Sequence, residues 1–451
     1  MKLSVIGLGV NSGDVSVRAF ERIKNAKTVI LRTERTQCAQ ILKTSGIEYV
    51  TLDGEYERSR NFDTLNKNLA KKVSEYLKSG DVCYLVEGAV SEDASCKILF
   101  RKHKDAEVFE GVSKTADALN RCGVRSPGYS TFSAYDIGEF KNFSYPLVVY
   151  DLDSQILASE WKLKLMDEVG EEQKVWLYID KQPRYVSVYE LDRFSGYDYS
   201  TVVIVEEAPL ERKERYSFND LYDIVKLLRA PGGCPWDRAQ TKESIRKNLI
   251  EECYELCDAI DRDSDEKILE ETGDVLLQAV FHIIFAEERG AFDKSDVFTD
   301  ECKKLIFRHS HIFGKDKAVN PDAALDVWDK NKQVEKGFRN PSEYVSDVPK
   351  CFPSLLRTQK VIKRIEKSGG GAPEKEWLIE NLKSVCNEFL SERDTQNALG
   401  KLLLTASCLA KVLGHDGEEC LYFATEKLVE TYEKDWNNGF DLVEYFKGEN
   451  D

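Results

Sequence analysis

Residues 249–262 read LIEECYELCDAIDR, and residues 269–286 read LEETGDVLLQAVFHIIFA. Both are rich in apolar residues at helical spacing, which predicts two helices, over about 242–262 and 265–289, joined by the acidic turn DRDSD. Glu252 and Glu255 form an ExxE pair, and after fifteen intervening residues Glu271 and Asp274 form an ExxD pair. Residues three apart share a helical face, so each pair sends two carboxylates the same way. Packed together, two such helices gather four negative charges in one place. On the first helix Ile245, Leu249, Leu256 and Ile260 mark an apolar stripe, and Glu252 falls inside it. Its carboxylate is therefore expected to point inward.

An unpaired buried charge costs several kcal/mol even after relaxation. A single ExxE reads most simply as exposed acids in a glutamate-rich chain; two of them on one apolar helix pair do not. Basic residues are sparse there, with Arg246, Lys247, Arg262 and Lys267 near the helix ends. Oxygen-only ligation favours Mg²⁺ or Mn²⁺, with Ca²⁺ less suited to a rigid helical site. Such a cation binds phosphate oxygens, neutralises charge and acidifies a bound water. Hydrolysis of a phosphate ester or anhydride is the chemistry this predicts. Gly273, between Glu271 and Asp274, is expected to let another backbone or a ligand come close.

The chain has 451 residues, 42% hydrophobic and 32% charged, which predicts two or three globular domains. A net charge of -16, without a basic stripe, excludes a general binder of nucleic acid polymers. No run approaches the roughly 18 apolar residues of a membrane helix, and MKLSVIGLGV lacks a signal-peptide core. A cytoplasmic protein with no membrane contact is expected. The twelve cysteines are scattered without any CxxC, as in a reducing compartment.

Along residues 1–206, short β-branched runs (LSVIG, TVILR, DVCYLVEG, LVVYDL, KVWLYI, TVVIVEE) alternate with amphipathic stretches, an α/β pattern. Charge then dominates at EEAPLERKERYSF, which suits a linker, and beyond it every periodic segment is helical. Helices are predicted over 217–229, 295–311 and 321–336, with PGGCPWD read as a loop. The expected fold is multidomain, an N-terminal α/β part followed by all-α parts, divided as 1–206, 207–340 and 341–451.

The run GGCPWDRAQTKESIRKNLIEECYELCDAI, with LEETGDVLLQAVFH, RHSHIFG and VWDKNKQVEKG after it, resembles the MazG family of nucleoside triphosphate pyrophosphohydrolases. The resemblance implies that Glu252, Glu255, Glu271 and Asp274 ligate Mg²⁺, and that a nucleoside triphosphate and water give the monophosphate and pyrophosphate. It also implies an all-α homodimer, which agrees with the almost all-round apolar run 275–286, and a role in clearing non-canonical nucleotides. In its other blocks, Trp236 is a candidate to stack on a base, and Arg308, Lys332 and Lys336 are candidates to meet phosphates.

A second helix pair, LIENLKSVCNEFLSE and ALGKLLLTASCLAKVLG, repeats the layout. There Val385 stands where Glu252 does, Ala398 and Lys401 stand where Glu271 and Asp274 do, and only Glu388 keeps its charge. This degenerate copy is expected to hold no metal. Residues 1–206, with GLGVNSGDVSVRAFERI, LRTERT, LDGEYE and DVCYLVEGAVSED, resemble a tetrapyrrole methylase-like domain, as in YabN-type fusions with MazG. That family's opening loop carries Pro where this chain reads Val-Asn-Ser, and its second loop carries Pro-Gly where this chain has Glu87-Gly88. The resemblance implies a site for S-adenosylmethionine, and the departures count against active methyl transfer. A methyltransferase, or a non-catalytic ligand-binding module, is the alternative reading of this part.

Overall fold

In the computed structural model, residues 1–391 and 395–447 are described. Glu392, at the end of LIENLKSVCNEFLSE, and the last residues of the 341–451 part lie outside them. The chain divides into two compact units, Met1–Phe285 and Ala286–Asp451.

The first unit opens with five parallel strands, β1 (Leu3–Gly7), β2 (Thr28–Leu31), β3 (Val50–Thr51), β4 (Val82–Val86) and β5 (Glu107–Phe109), in the order β3-β2-β4-β1-β5. β1 and β4 are buried at every residue, which is why they read as continuous apolar runs; helices cover both faces of a parallel sheet. A second sheet follows, β6 (Ser130–Ser133), β7 (Leu147–Tyr150), β8 (Lys174–Ile179), β9 (Gln182–Ser187) and β10 (Val202–Val205), in the order β6-β7-β10-β8-β9. β6 and β7 run parallel and the other pairs antiparallel. The β8–β9 hairpin turns on Asp180 and Lys181, both at positive φ, the two-residue turn whose twist matches the strands.

After β10 no strand occurs among the described residues. Ser217 caps the helix Phe218–Arg229, its hydroxyl accepting from the Asp220 amide while the Asp220 side chain accepts from the Ser217 amide. The PGGCPWD segment, expected to be a loop, contains the short helix Pro235–Ala239; proline at its start removes a donor that the first turn leaves unpaired anyway. Then come the paired helices Arg246–Asp261 and Asp265–Glu288. On the first, Ile245 is buried just before its start, Leu249 and Leu256 are half-buried and Ile260 is exposed, so the expected stripe is covered at one end only. On the second, Val280, Phe281, Ile283, Ile284 and Phe285 are buried while Leu276 is 44% exposed.

In the second unit, helices span Lys294–Arg308, Pro321–Lys336, Ser354–Lys367, Lys375–Ser391, Thr395–Val412 and Gly417–Asp435, with shorter turns between them. Buried Gln359 ties this unit together. Its Nε2 donates to the Ser407 and His415 carbonyls, and its Oε1 accepts from the Gly417 amide. Among the described residues no single helix is long and apolar enough to cross a membrane.

The N-terminal core holds two ion pairs, half-buried Arg32 with buried Asp93 and buried Lys114 with buried Asp151. Asp93 also caps the helix Ala94–Lys102, accepting from the Ser95 and Cys96 amides. Arg32 holds the Asp93 carboxyl below its ordinary range against the opposing effect of burial. Removing one member of such a pair strands the other in a dry interior. Asp93→Ala is expected to destabilise the protein by about 3–5 kcal/mol, read as a lowered midpoint in urea unfolding followed by circular dichroism.

Candidate functional site

The turn Arg262-Asp263-Ser264, with Asp263 at positive φ, folds the second helix back beside the first; the Ser264 amide donates to the Ala259 carbonyl. This brings carboxylate oxygens of Glu252, Glu255 and Glu271 within 4.8 Å of one another. Glu271 is buried, Glu252 and Asp274 are half-buried, and Glu255 is exposed. Asp274 stands outside this tight group of three but close enough to act on Glu252. Burial raises the Glu252 pKa above the ordinary glutamate range, and the charges of Asp274, Glu255 and Glu271 add to the rise. Glu271 is raised in the same way, by burial and then by Glu255 and Glu270.

The local cations serve other acids. Lys247 pairs with Glu251, Arg262 with Asp258 and Lys267 with Glu270. Among the described residues, none of the four carboxylates makes an ion pair with Lys or Arg. Gln278, one turn beyond Asp274 on the same face, donates from Nε2 to Glu252 Oε1 at 3.4 Å, while its own Oε1 is buried without a partner. His282, one turn further, has a buried Nε2 that is also unpartnered. Neither residue was singled out from the sequence, although both interrupt the apolar run VLLQAVFHIIFA at helical spacing from Glu271 and Asp274. A Cβ on Gly273 would meet nothing within 4 Å, so packing within this chain does not demand glycine there.

Clustered oxygen donors without counter-charge suit a hard divalent cation. The second helix pair, expected from its layout to be a degenerate copy, makes the contrast. Val385 and Ala398 are buried as core residues, and Lys401 lies 3.7 Å from Glu388. A lysine ammonium there supplies positive charge beside the one acid that remains.

Trp236 is 59% exposed on its short helix. In the second unit, Arg308 and Lys332 lie over the Trp328 ring, 5.0 and 4.7 Å from its centroid. Arg308 is buried and forks onto Glu335 at 2.7 and 3.2 Å; Lys336 pairs with Asp347. Lys332 makes no ion pair with a carboxylate among the described residues, and burial lowers its pKa.

The glycine loops of the N-terminal part close on themselves. Gly9 and Gly88 exchange backbone hydrogen bonds, and a Cβ on Gly111 would lie 2.4 Å from the Gly88 oxygen and 2.6 Å from the Gly7 oxygen. Glycine there serves contact of loop with loop. The Val10 and Asn11 amides donate to Asp14, the Ala89 amide to Glu92 and the Val90 amide to Glu110. Internal carboxylates thus take the donors that an anionic ligand group would use. Glu87 faces a neighbouring cavity of about 520 Å³, and burial pushes its carboxyl up to about 7 against the pull of Lys114. These loops do not fit S-adenosylmethionine.

Residues 240–313 match the MazG nucleotide pyrophosphohydrolase domain. The chain is 37% identical over 220 residues to the nucleoside triphosphate pyrophosphohydrolase/pyrophosphatase MazG of Thermotoga maritima, covering 48% of this chain and 84% of that protein. It is 29% identical over 379 residues to the uncharacterized protein YabN of Bacillus subtilis, covering 80% of this chain and 76% of that one. Among solved structures, it is similar to the precorrin-6Y methylase of Archaeoglobus fulgidus at 14% identity and a TM-score of 0.33, over 46% of this chain and 98% of that one.

Because Glu252 and Glu271 are raised in the folded chain, the folded state keeps protons that the unfolded chain has released. Stability therefore falls as pH rises through their folded pKa values. In thermal melts with a chelator, the wild type is expected to lose melting temperature above the ordinary glutamate range. Glu252→Gln should flatten that slope; a slope equal to the wild type's would remove the charge cluster as its cause.

Proposed function

The chain belongs to the MazG family of nucleotide pyrophosphohydrolases, and on that premise we propose that it converts nucleoside triphosphates to monophosphates and pyrophosphate with Mg²⁺ held by Glu252, Glu255, Glu271 and Asp274. The observation that carries this reading is the cluster of acids without counter-charge, within the matched span 240–313. Bound there, Mg²⁺ or Mn²⁺ would offset the charge of the triphosphate and acidify the attacking water. Water adds to the α-phosphorus, the bridging bond from α-phosphorus to oxygen breaks with its electrons passing to pyrophosphate, and the water's proton is lost. Gln278 holds Glu252 from one side, so that a ligand carboxylate need not be reoriented on binding.

Trp236, exposed and aromatic, is our candidate for base stacking. Of the three basic candidates, Lys332 has its charge uncommitted, whereas Arg308 and Lys336 are tied to Glu335 and Asp347. We divide the chain by function at about 206 and 340, supported by the end of the second sheet at Val205 and by the degenerate helix pair after Pro341. A homodimer is supported by the apolar surface on the two carboxylate helices: Ile250, Tyr254, Ile260, Leu269 and Leu276 are all exposed in the single chain. Twelve free cysteines support a cytosolic setting.

Purified protein with Mg²⁺ is expected to release pyrophosphate from at least one member of a panel of NTPs and dNTPs; release from none sinks the reading. Glu252→Gln should lower turnover by about 100-fold or more with the fold intact by circular dichroism. Light scattering should give twice the 51.5 kDa of one chain, and Leu276→Glu should shift the mass toward the monomer.

A further inference from the structure

The cavity beside Glu87, of about 520 Å³, lies in the N-terminal part, and its size falls in the range of small-molecule sites. Asn11, Thr36 and Glu87 line it from the loops that follow β1, β2 and β4. It therefore stands over the carboxyl ends of parallel strands, where open α/β sheets hold their ligands. The opposite wall belongs to the second sheet, with Tyr178 on β8, Lys181 in the β8–β9 turn, and Tyr197 and Tyr199 just before β10. The amides of Val10, Asn11, Ala89 and Val90 are already taken by carboxylates of the chain. A ligand in this cavity has to be held by side chains.

Those side chains differ in what they have already bonded. Of the acids on the lining, Asp153 accepts from the Tyr135 hydroxyl, and Asp198 accepts from the Ser200 amide and hydroxyl at 2.8 and 2.6 Å. The Glu87 carboxyl is half-buried, yet among the described residues it has no hydrogen bond and no ion pair, and its oxygens stay accessible from the cavity. Of the cations, Arg121 is paired with Asp117 at 2.6 Å and Arg35 lies 3.9 Å from Asp53, whereas Lys181 makes no ion pair among the described residues. All three cations are exposed and Glu87 is not, so positive charge stands at the mouth and an open acceptor stands inside. An ammonium that leaves water is stabilised by a carboxylate and by tyrosine rings together. A carboxylate is stabilised at the mouth instead.

We propose that this cavity binds a small zwitterion, its ammonium inward on Glu87, its carboxylate outward on Lys181 and Arg35, and an aromatic side chain against the tyrosines. That is the chemistry of a free aromatic amino acid, or of a short peptide that begins with one. Glu87 stands where the methylase-like resemblance puts a proline, so the residue that departs from that pattern is the one that gives the cavity its open acceptor. The site needs neither a methyl donor nor a metal. It is independent of the activity proposed for the carboxylate helices.

The test is calorimetric titration of the full chain with L-phenylalanine and with the dipeptide phenylalanylglycine, in the presence of a chelator so that the carboxylate cluster carries no cation. Saturable binding of at least one of them is expected; tighter binding of the first supports the amino acid, and of the second the peptide. Acetylating the amine or amidating the carboxyl of the tighter probe should each weaken binding by about tenfold or more. Glu87→Gln should do the same to the unmodified probe, with unchanged circular dichroism, and so should Lys181→Gln combined with Arg35→Gln. Absence of saturable binding of both probes overturns the proposal, as does binding that survives Glu87→Gln or acetylation of the amine. Tighter binding of S-adenosylhomocysteine than of either probe also overturns it, because the cavity would then be a methylase cofactor site. Pyrophosphate release by Glu87→Gln should equal the wild type's, which separates this site from the four carboxylates.

Discussion

Like charges brought within 4.8 Å of one another repel, and in this chain no lysine or arginine pairs with them among the described residues. Much else about the first helix pair follows from that repulsion. Together with burial, which is the larger cause, it raises the proton affinity of Glu252 and Glu271. The turn at Asp263 joins the helices, and the hydrogen bond from Gln278 to Glu252 crosses between them.

The N-terminal part solves a similar problem differently. Lys114, Asp93 and Asp151 are buried and Arg32 is half-buried, yet each charge meets an opposite one. In its glycine loops, Asp14, Glu92 and Glu110 bond to backbone amides, so acids and donors satisfy one another internally. Glu87, pushed up to about 7 by burial, is the exception among these acids. The carboxylate helices lack that internal balance, which is the physical ground for seeking chemistry there and for reading the loops as architecture.

Much of this was legible in the sequence, and the reasons differ from element to element. Glu252, Glu255, Glu271 and Asp274 announced their geometry because a helix converts a spacing of three into a shared face. β1, β2, β4, β7, β8 and β10 were visible as apolar runs because they are buried along most or all of their length. β3, β5, β6 and β9 were not: they are short or carry polar and proline residues, as in the exposed edge segment QPRYVS, and pairing with a neighbour is what makes them strands. The helix in PGGCPWD hid behind its glycines and prolines. Gln278 escaped notice because its role depends on the distance to Glu252 on another helix. The commitments of Arg308 to Glu335 and of Lys336 to Asp347 were equally hidden, since charge alone does not reveal which partner has already claimed it.

Lys401 beside Glu388 has a wider meaning. In the second helix pair the positive charge is carried by the polypeptide, so its balance is inherited with the gene and is the same in any medium. In the first pair, under the proposed function, the positive charge would come from outside. If the second pair is a copy of the first, as its sequence layout suggests, one chain holds a self-sufficient arrangement beside one that, under the proposed function, answers to the ions around it.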